Sequence, residues 1–262
     1  IMNISLEGKR AVVCGSTQGI GKATATELAL LGASITLVAR NEEKLKSVLT
    51  ELDSSKGQKH TYISVDFTQP EDLRAKLAVF AKEKNANILV NNTGGPAGGP
   101  ANAAHTDEYI QAFTNHLICN QIMVQSLMEG MKAEGYGRII NIISTSVKQP
   151  LNGLGVSNTI RGAVASWSKT LANELGGFNI TVNNVLPGAT NTVRLKSIIE
   201  NKAKKTGQTE AAVLETMKNQ VPMKRIAEAE EVANAIAFLA SPAASYINGI
   251  NIPVDGGRTA CL

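Results

Sequence analysis

The stretch GVSNTIRGAV sets a hydroxyl, Ser157, four residues before a guanidinium, Arg161. Side chains four apart share one face of a helix, so the pair would meet one ligand. Together they can donate hydrogen bonds to an oxygen and stabilise negative charge on it. Neither is a useful proton donor: serine is a far weaker acid than a phenol, and arginine keeps its proton below a pKa of roughly 12. Upstream, RIINIIST carries a second hydroxyl, Ser144, and FTNHL carries the amide of Asn115. Other polar groups stand near these in sequence. Lys148 follows Ser144 on a loop and reads as a solvated lysine. His116 follows Asn115 directly; on a helix it would point about 100° away from it, and it reads as a core or surface histidine. His105 and Tyr109 flank the start of that helix and read as structural.

A second constellation could hold phosphates. Gly15, Gly19 and Gly21 form GxxxGxG, with Ser16, Thr17, Gln18 and Ile20 filling the turn. Glycine lets a backbone turn sharply and approach a pyrophosphate, and a following helix offers unpaired N–H groups and a positive dipole end. About one strand–helix unit later the chain reads Ala39-Arg40. An acid there would accept from a ribose 2′-hydroxyl, whereas an arginine pairs with a 2′-phosphate. Arg40 therefore predicts NADP(H).

Elements to position these residues are legible in the hydrophobic pattern. Candidate strands span 10–14, 34–39, 61–65, 88–91, 138–143, 180–186 and 249–254, with helical patterns such as 22–31, 107–132, 156–175 and 230–240 between them. Runs such as AVVC, ILVN and RIINII are almost continuously apolar, as in strands covered on both faces. The alternation predicts an α/β fold: one Rossmann-type, doubly wound parallel sheet over residues 1–262. Residues 190–222 interrupt the alternation and are expected to form a helical lid over the ligand crevice. From position 190 to 225 the segment holds eight Lys/Arg against three Glu. That basic balance suits a carboxylate, a CoA phosphate or an acidic carrier protein, or else a solvated helix face. Its apolar positions Val193, Leu195, Ile198, Ile199, Val213, Leu214 and Met217 would cover a hydrophobic substrate or pack on the body.

Composition excludes several classes. With 43% hydrophobic and 18% charged residues, the chain reads as a soluble globular protein. A net charge of +4 without basic–aromatic clusters gives no case for nucleic acid. No apolar run approaches a membrane span, and IMNISLEGKR lacks the pattern of a secretory leader. Cys14, Cys119 and Cys261 are scattered and form no CxxC pair, so no metal site is expected. They read as buried small hydrophobes of a cytoplasmic protein.

In this order, the motifs resemble the short-chain dehydrogenase/reductase family over nearly the whole chain, closest to β-ketoacyl-acyl-carrier-protein reductases and their relatives. The family's TGxxxGIG turn matches Cys14 to Gly21, with Cys14 in place of threonine. Its adenine-contacting acid matches Asp66, followed by Phe67, in VDFTQPED. NNAG matches Asn91-Asn92-Thr93-Gly94, and the tetrad asparagine matches Asn115. The PG motif matches Pro187-Gly188, with Thr190 and Thr192 following near the expected nicotinamide amide. The resemblance implies NADP(H) as cofactor and a homotetramer built partly on the two long helices and the last strand. It makes Ser144 the catalytic serine. The tyrosine and lysine of the family's YxxxK are, at the matching positions, Ser157 and Arg161.

That replacement bears on the chemistry. In the family, tyrosine gives a proton to the carbonyl oxygen, and the lysine lowers its pKa and holds the nicotinamide ribose. Loss of a general acid costs about 10²–10⁴ in rate, or roughly 3–5 kcal/mol. Orientation contributes about 7–11 kcal/mol, and its residues are present. The expectation is an NADP(H)-dependent oxidoreductase reducing a ketone, possible substrates including a 3-oxoacyl thioester, with Ser144, Ser157, Arg161 and Asn115 as its centre. Two alternatives stay open: an NADP(H)-binding sensor that does not turn over, and a lyase or dehydratase in which an arginine clamps an anion.

Overall fold

The computed structural model describes residues 1–261. Along the chain run β1 (Arg10–Cys14), α1 (Gly19–Leu30), β2 (Ser34–Ala39), α2 (Glu42–Glu51), β3 (Thr61–Ser64), α3 (Pro70–Glu83) and β4 (Ile88–Asn91). Then come α4 (Thr106–Phe113), α5 (Cys119–Ala133), β5 (Gly137–Ile142), α6 (Gly155–Leu175) and β6 (Ile180–Pro187). The described chain closes with α7 (Val193–Thr206), α8 (Glu210–Asn219), α9 (Ala229–Ala240) and β7 (Asn251–Val254). The strands form one sheet in the order β3-β2-β1-β4-β5-β6-β7. Every pairing is parallel. Strand order reverses beside β1, so a crevice opens between the ends of β1 and β4, where ligands of doubly wound sheets bind.

Alternation along each strand divides the core. Ala11 and Val13 of β1 face one layer with Leu28 of α1, Leu45 of α2 and Ile236 of α9. Val12 and Cys14 face the other layer with Leu73 and Leu77 of α3, Ile122 of α5 and Leu171 of α6. This is the period of two expected of a strand buried on both faces. Burial pushes the Cys14 thiol up to about 12. Cys14 and Cys119 are buried as expected; Cys261 departs from that expectation and is exposed in the segment after β7.

Four strands are also tied by side chains. Asn91 donates to Asn141 (2.8 Å), Asn141 to Asn184 (3.0 Å) and Asn184 to Asn251 (2.8 Å). These residues are direct register partners across β4, β5, β6 and β7. A one-residue slip would turn each asparagine to the opposite layer and orphan its amide. The ladder thus locks the register of the strands that end at the site.

The long helix expected over 107–132 is present and contains a π-helical segment. A π turn at Thr114–Ile118 joins α4 to α5. A wider turn re-aims the following side chains, and His116 lies inside it. α4 begins at a capping box in which His105 accepts from the Asp107 N–H (3.3 Å), and Tyr109 donates to the Ala101 carbonyl (3.4 Å). Among the described residues no helix is long and apolar enough to cross a membrane.

Candidate active site

The β1–α1 turn is as tight as its glycines suggest. A side chain on Gly21 would lie 2.2 Å from the Gly15 carbonyl, and one on Gly15 would lie 2.7 Å from the Asn92 carbonyl. Gly19 has φ +53, a left-handed value that favours glycine. No side chain caps the N-terminus of α1, so its first N–H groups are open to a phosphate. Ser16 is buried, its Oγ donating to the Val38 carbonyl (3.4 Å), so only its backbone can serve a ligand. Thr17 and Ile20 are half-buried and Gln18 is exposed. Ile20 packs on both Ala23 and the main core.

At the neighbouring strand ends, Arg40 is exposed and 4.0 Å from Asp66. Asp66 also accepts from the Thr68 N–H (2.9 Å). The cation and the acid expected to read the adenosine end thus share one rim. Phe67 is partly buried against the core. The turn and this rim fit a dinucleotide bearing a 2′-phosphate.

The loop after β4 connects this crevice to α6. Asn92 packs against the glycine turn, and Gly94 has open space where a side chain would be. Gly99 accepts from the Gly155 N–H (2.9 Å) and donates to the Gly153 carbonyl (2.8 Å). A side chain on Gly155 would lie 2.4 Å from the Ala101 backbone. These contacts pin the N-terminal turn of α6, and with it Ser157, against the loop.

Arg161 sits one turn further along α6, only 8% exposed. Its Nη1 donates to the Ile142 carbonyl (3.1 Å) and its Nη2 to the Thr93 carbonyl (3.5 Å). Among the described residues no carboxylate pairs with it. Burial and the neighbouring Arg194 lower its pKa to about 10, so it remains charged at neutral pH. Ser144 follows β5 and is half-buried; its Oγ accepts from the Ser146 N–H (3.1 Å), which leaves its own proton to donate. Ser157 is half-buried, with no side-chain hydrogen bond among the described residues. Asn115 stands apart: its Oδ1 accepts from Gln111 (2.8 Å), and no direct bond ties it to Ser144, Ser157 or Arg161.

His116 is buried, in line with its reading as a core histidine. It lies within the π turn, 2% exposed, and its Nδ1 shares a hydrogen bond with Thr93 Oγ1. Burial, with Arg161 nearby, lowers its pKa to about 2, so the folded protein holds it neutral. Unfolding restores an ordinary pKa near 6.5. Above that value neither state binds a proton; below it only the unfolded state does, and stability falls with pH. Between pH 7 and pH 5 this one group is expected to remove about 2 kcal/mol. Urea unfolding of wild type and His116→Gln at both pH values checks it: the variant should lose about 2 kcal/mol less than wild type across the interval. Equal losses would contradict the buried neutral imidazole.

On the far side of the crevice, Gly188 packs on Asp255, where a side chain would meet its Cα at 2.8 Å. Pro187 ends β6. Thr190 is buried and donates to the Gly188 carbonyl (3.2 Å). Thr192 caps α7, accepting from the Leu195 N–H (3.3 Å) and donating to the Thr190 carbonyl (3.2 Å). Its methyl group lies 3.1 Å from where a Gly19 side chain would begin, so α7 starts over the phosphate turn. The apolar positions of α7 and α8 close on each other: Leu195, Ile199, Ala203 and Val213 form their own small core with Leu214 and Met217. Val193 departs from that pattern and is exposed. Arg194, not foreseen individually, donates from Nη2 to the Pro96 carbonyl (2.7 Å). A cleft of about 230 Å³ opens beside Thr145, between Gln149, Leu151, Gln220, Arg258 and Thr259.

Comparison with known proteins follows this geometry. The family model described as Enoyl-(Acyl carrier protein) reductase matches residues 15–259. The NADPH-dependent reductase BacG of Bacillus subtilis is 32% identical over 95% of this chain and 97% of its own. The 3-oxoacyl-[acyl-carrier-protein] reductase FabG of Pseudomonas aeruginosa is 30% identical, covering 97% and 98%. The crystal structure of L-sorbose reductase from Gluconobacter frateurii, complexed with NADPH and L-sorbose, superposes with a TM-score of 0.92 at 32% identity, covering all of both chains.

Proposed function

The chain belongs to the short-chain dehydrogenase/reductase family of oxidoreductases, and from that premise we propose that it reduces a ketone to an alcohol with NADPH, using a serine–arginine centre. The observation that carries this reading is the buried Arg161, charged, without an acid partner among the described residues, on the helix face that also bears Ser157. NADPH, when bound, supplies the hydride to the carbonyl carbon. Gly15, Ser16, Thr17, Gln18, Gly19, Ile20 and Gly21 would hold its pyrophosphate, and Arg40 with Asp66 and Phe67 its adenosine end. Asn92, Thr93, Gly94, Pro187, Gly188, Thr190 and Thr192 would line the nicotinamide half.

The chain's own residues then act on the carbonyl oxygen. Ser144, with its oxygen fixed by the Ser146 N–H, donates its free proton as a hydrogen bond to that oxygen. Ser157 holds a water that delivers the proton, since the hydroxyl itself is too weak an acid. Arg161 stabilises the negative charge on the oxygen until the proton arrives, and its remaining donors would be available to ribose hydroxyls of the bound cofactor. Asn115 supports the water chain from the π turn. Residues 190–222 cover the substrate, which is a small ketone or an acyl thioester. The active assembly is a homotetramer; the exposed Ile110, Phe113 and Ile118 lie on the helix expected to pair.

The test is NADPH consumption coupled to alcohol formation across β-ketoacyl thioesters, small ketones and diketones. Binding of NADPH with no consumption over that panel would favour the sensor reading, and product without consumption a lyase or dehydratase. The cofactor half has its own check. NADPH is expected to bind at least tenfold more tightly than NADH, and Arg40→Ala to abolish most of that difference by weakening NADPH alone. A preference unchanged in Arg40→Ala would remove the 2′-phosphate role.

A further inference from the structure

Two guanidinium groups meet at one place in the site. Measured from where a side chain on Gly95 would begin, Arg194 Nη2 is 3.6 Å away and Arg161 Nη2 is 3.7 Å away. One is carried by α6, the other by α7. Each is anchored to a backbone carbonyl of the same loop, Arg161 to Thr93 and Arg194 to Pro96. Neither has a carboxylate partner among the described residues. The charge on Arg161 is already disfavoured by burial, and Arg194 adds like-charge repulsion. Two cations held beside one backbone loop, with no carboxylate among the described residues, present charge and N–H donors suited to an anion.

Carbonyl oxygens use only part of the fork. A guanidinium has five N–H donors, and Arg161 spends two on Ile142 and Thr93. Ribose hydroxyls could accept from others, but they bring no charge. A carboxylate supplies both acceptors and the missing negative charge, and planar guanidinium–carboxylate pairing is the strong form of that contact. The basic helix α7 adds a field of the same sign at the mouth.

We propose that the substrate is a keto acid, whose carboxylate bridges Arg161 and Arg194 at the Gly95–Pro96 backbone while its ketone faces Ser144 and Ser157. The position of the ketone rests on the reductase reading above; the carboxylate site does not.

Equilibrium binding to the NADPH complex separates the two. The probes are 2-oxobutyrate, acetoacetate and levulinate, each beside its methyl ester, titrated against NADPH fluorescence. This series places the carboxylate one, two or three bonds from the ketone carbon. At least one acid is expected to bind about tenfold or more tightly than its ester. Arg194→Gln should bring that ratio near one, Arg194→Lys should keep part of it, and Lys82→Gln, exposed on α3, should leave it intact. Esters binding as tightly as acids throughout, or a ratio that survives Arg194→Gln, would overturn the carboxylate site. Alcohol formation is read from the same pairs. Failure of every acid and ester to react would sink the reductase reading, whereas the binding ratio would still decide the carboxylate site.

Discussion

Glutamine in place of Arg161 is expected to make the protein more stable and almost inactive. Burial lowers the Arg161 pKa from 12.5 to about 10, which corresponds to about 3 kcal/mol held against the charged state. Glutamine removes that charge and retains an amide that can donate to one of the two carbonyls. Leaving the other carbonyl short of a donor costs about 1 kcal/mol. The net expectation is a gain of about 1–2 kcal/mol in unfolding free energy, seen as a rise of several degrees in Tm. Activity should move the other way. Removing a preorganised donor beside developing negative charge costs about 10²–10³ in kcat. Opposite signs on the two measurements mark a residue kept for chemistry at the expense of the fold. A large loss of stability in Arg161→Gln would instead make the guanidinium a strut between α6, β5 and the Thr93 loop.

Restoring the family's pair should raise turnover. Ser157→Tyr combined with Arg161→Lys places a phenol where a serine cannot act as acid and an ammonium where it can lower the phenol's pKa. A positioned general acid contributes about 10²–10⁴. Misfit of the larger ring at the half-buried position 157 will take back part of that, so a gain of about 10–10³ in kcat for neutral ketones is expected. The pH profile provides the second signature. Reduction by the variant needs a protonated tyrosine, so its rate should fall on the alkaline side, a limb that Ser157 cannot produce. The same variant loses the Arg161 half of the anion site, so the preference for acids over esters should fall as neutral ketones improve. If the variant folds and binds NADPH yet gains nothing on any ketone, the view of a weakened reductase is wrong.

The β1–α1 turn was legible in sequence because three glycines in one strand–helix junction admit few geometries, and the structure leaves no room for a side chain at Gly15 or Gly21. The parallel sheet was legible because its strands are apolar on both faces. Positions 144, 157 and 161 were singled out by the resemblance, as the matches to the family's serine and its YxxxK pair. What escaped were features that depend on distant segments meeting. The asparagine ladder needs the register of four strands, which no single strand shows. The contact of His116 with Thr93 needs the loop after β4 to pack beside the helix that carries His116. Arg194 looked like one of eight basic residues in a solvated segment. Its bond to Pro96 follows from the way α7 leaves β6, for which no local pattern speaks. The basic excess of residues 190–225 was the one signal that could have drawn attention to it.

Hydride transfer itself tests the central claim most directly. NADPH carrying deuterium at the transferring position is incubated with the protein and the ketone panel, keto acids included, and the products are read by mass spectrometry. The account predicts one deuterium on the carbinol carbon for each NADPH consumed, at a rate cut at least a hundredfold by Arg161→Gln. Saturated NADPH binding with no deuterium in any product would contradict it.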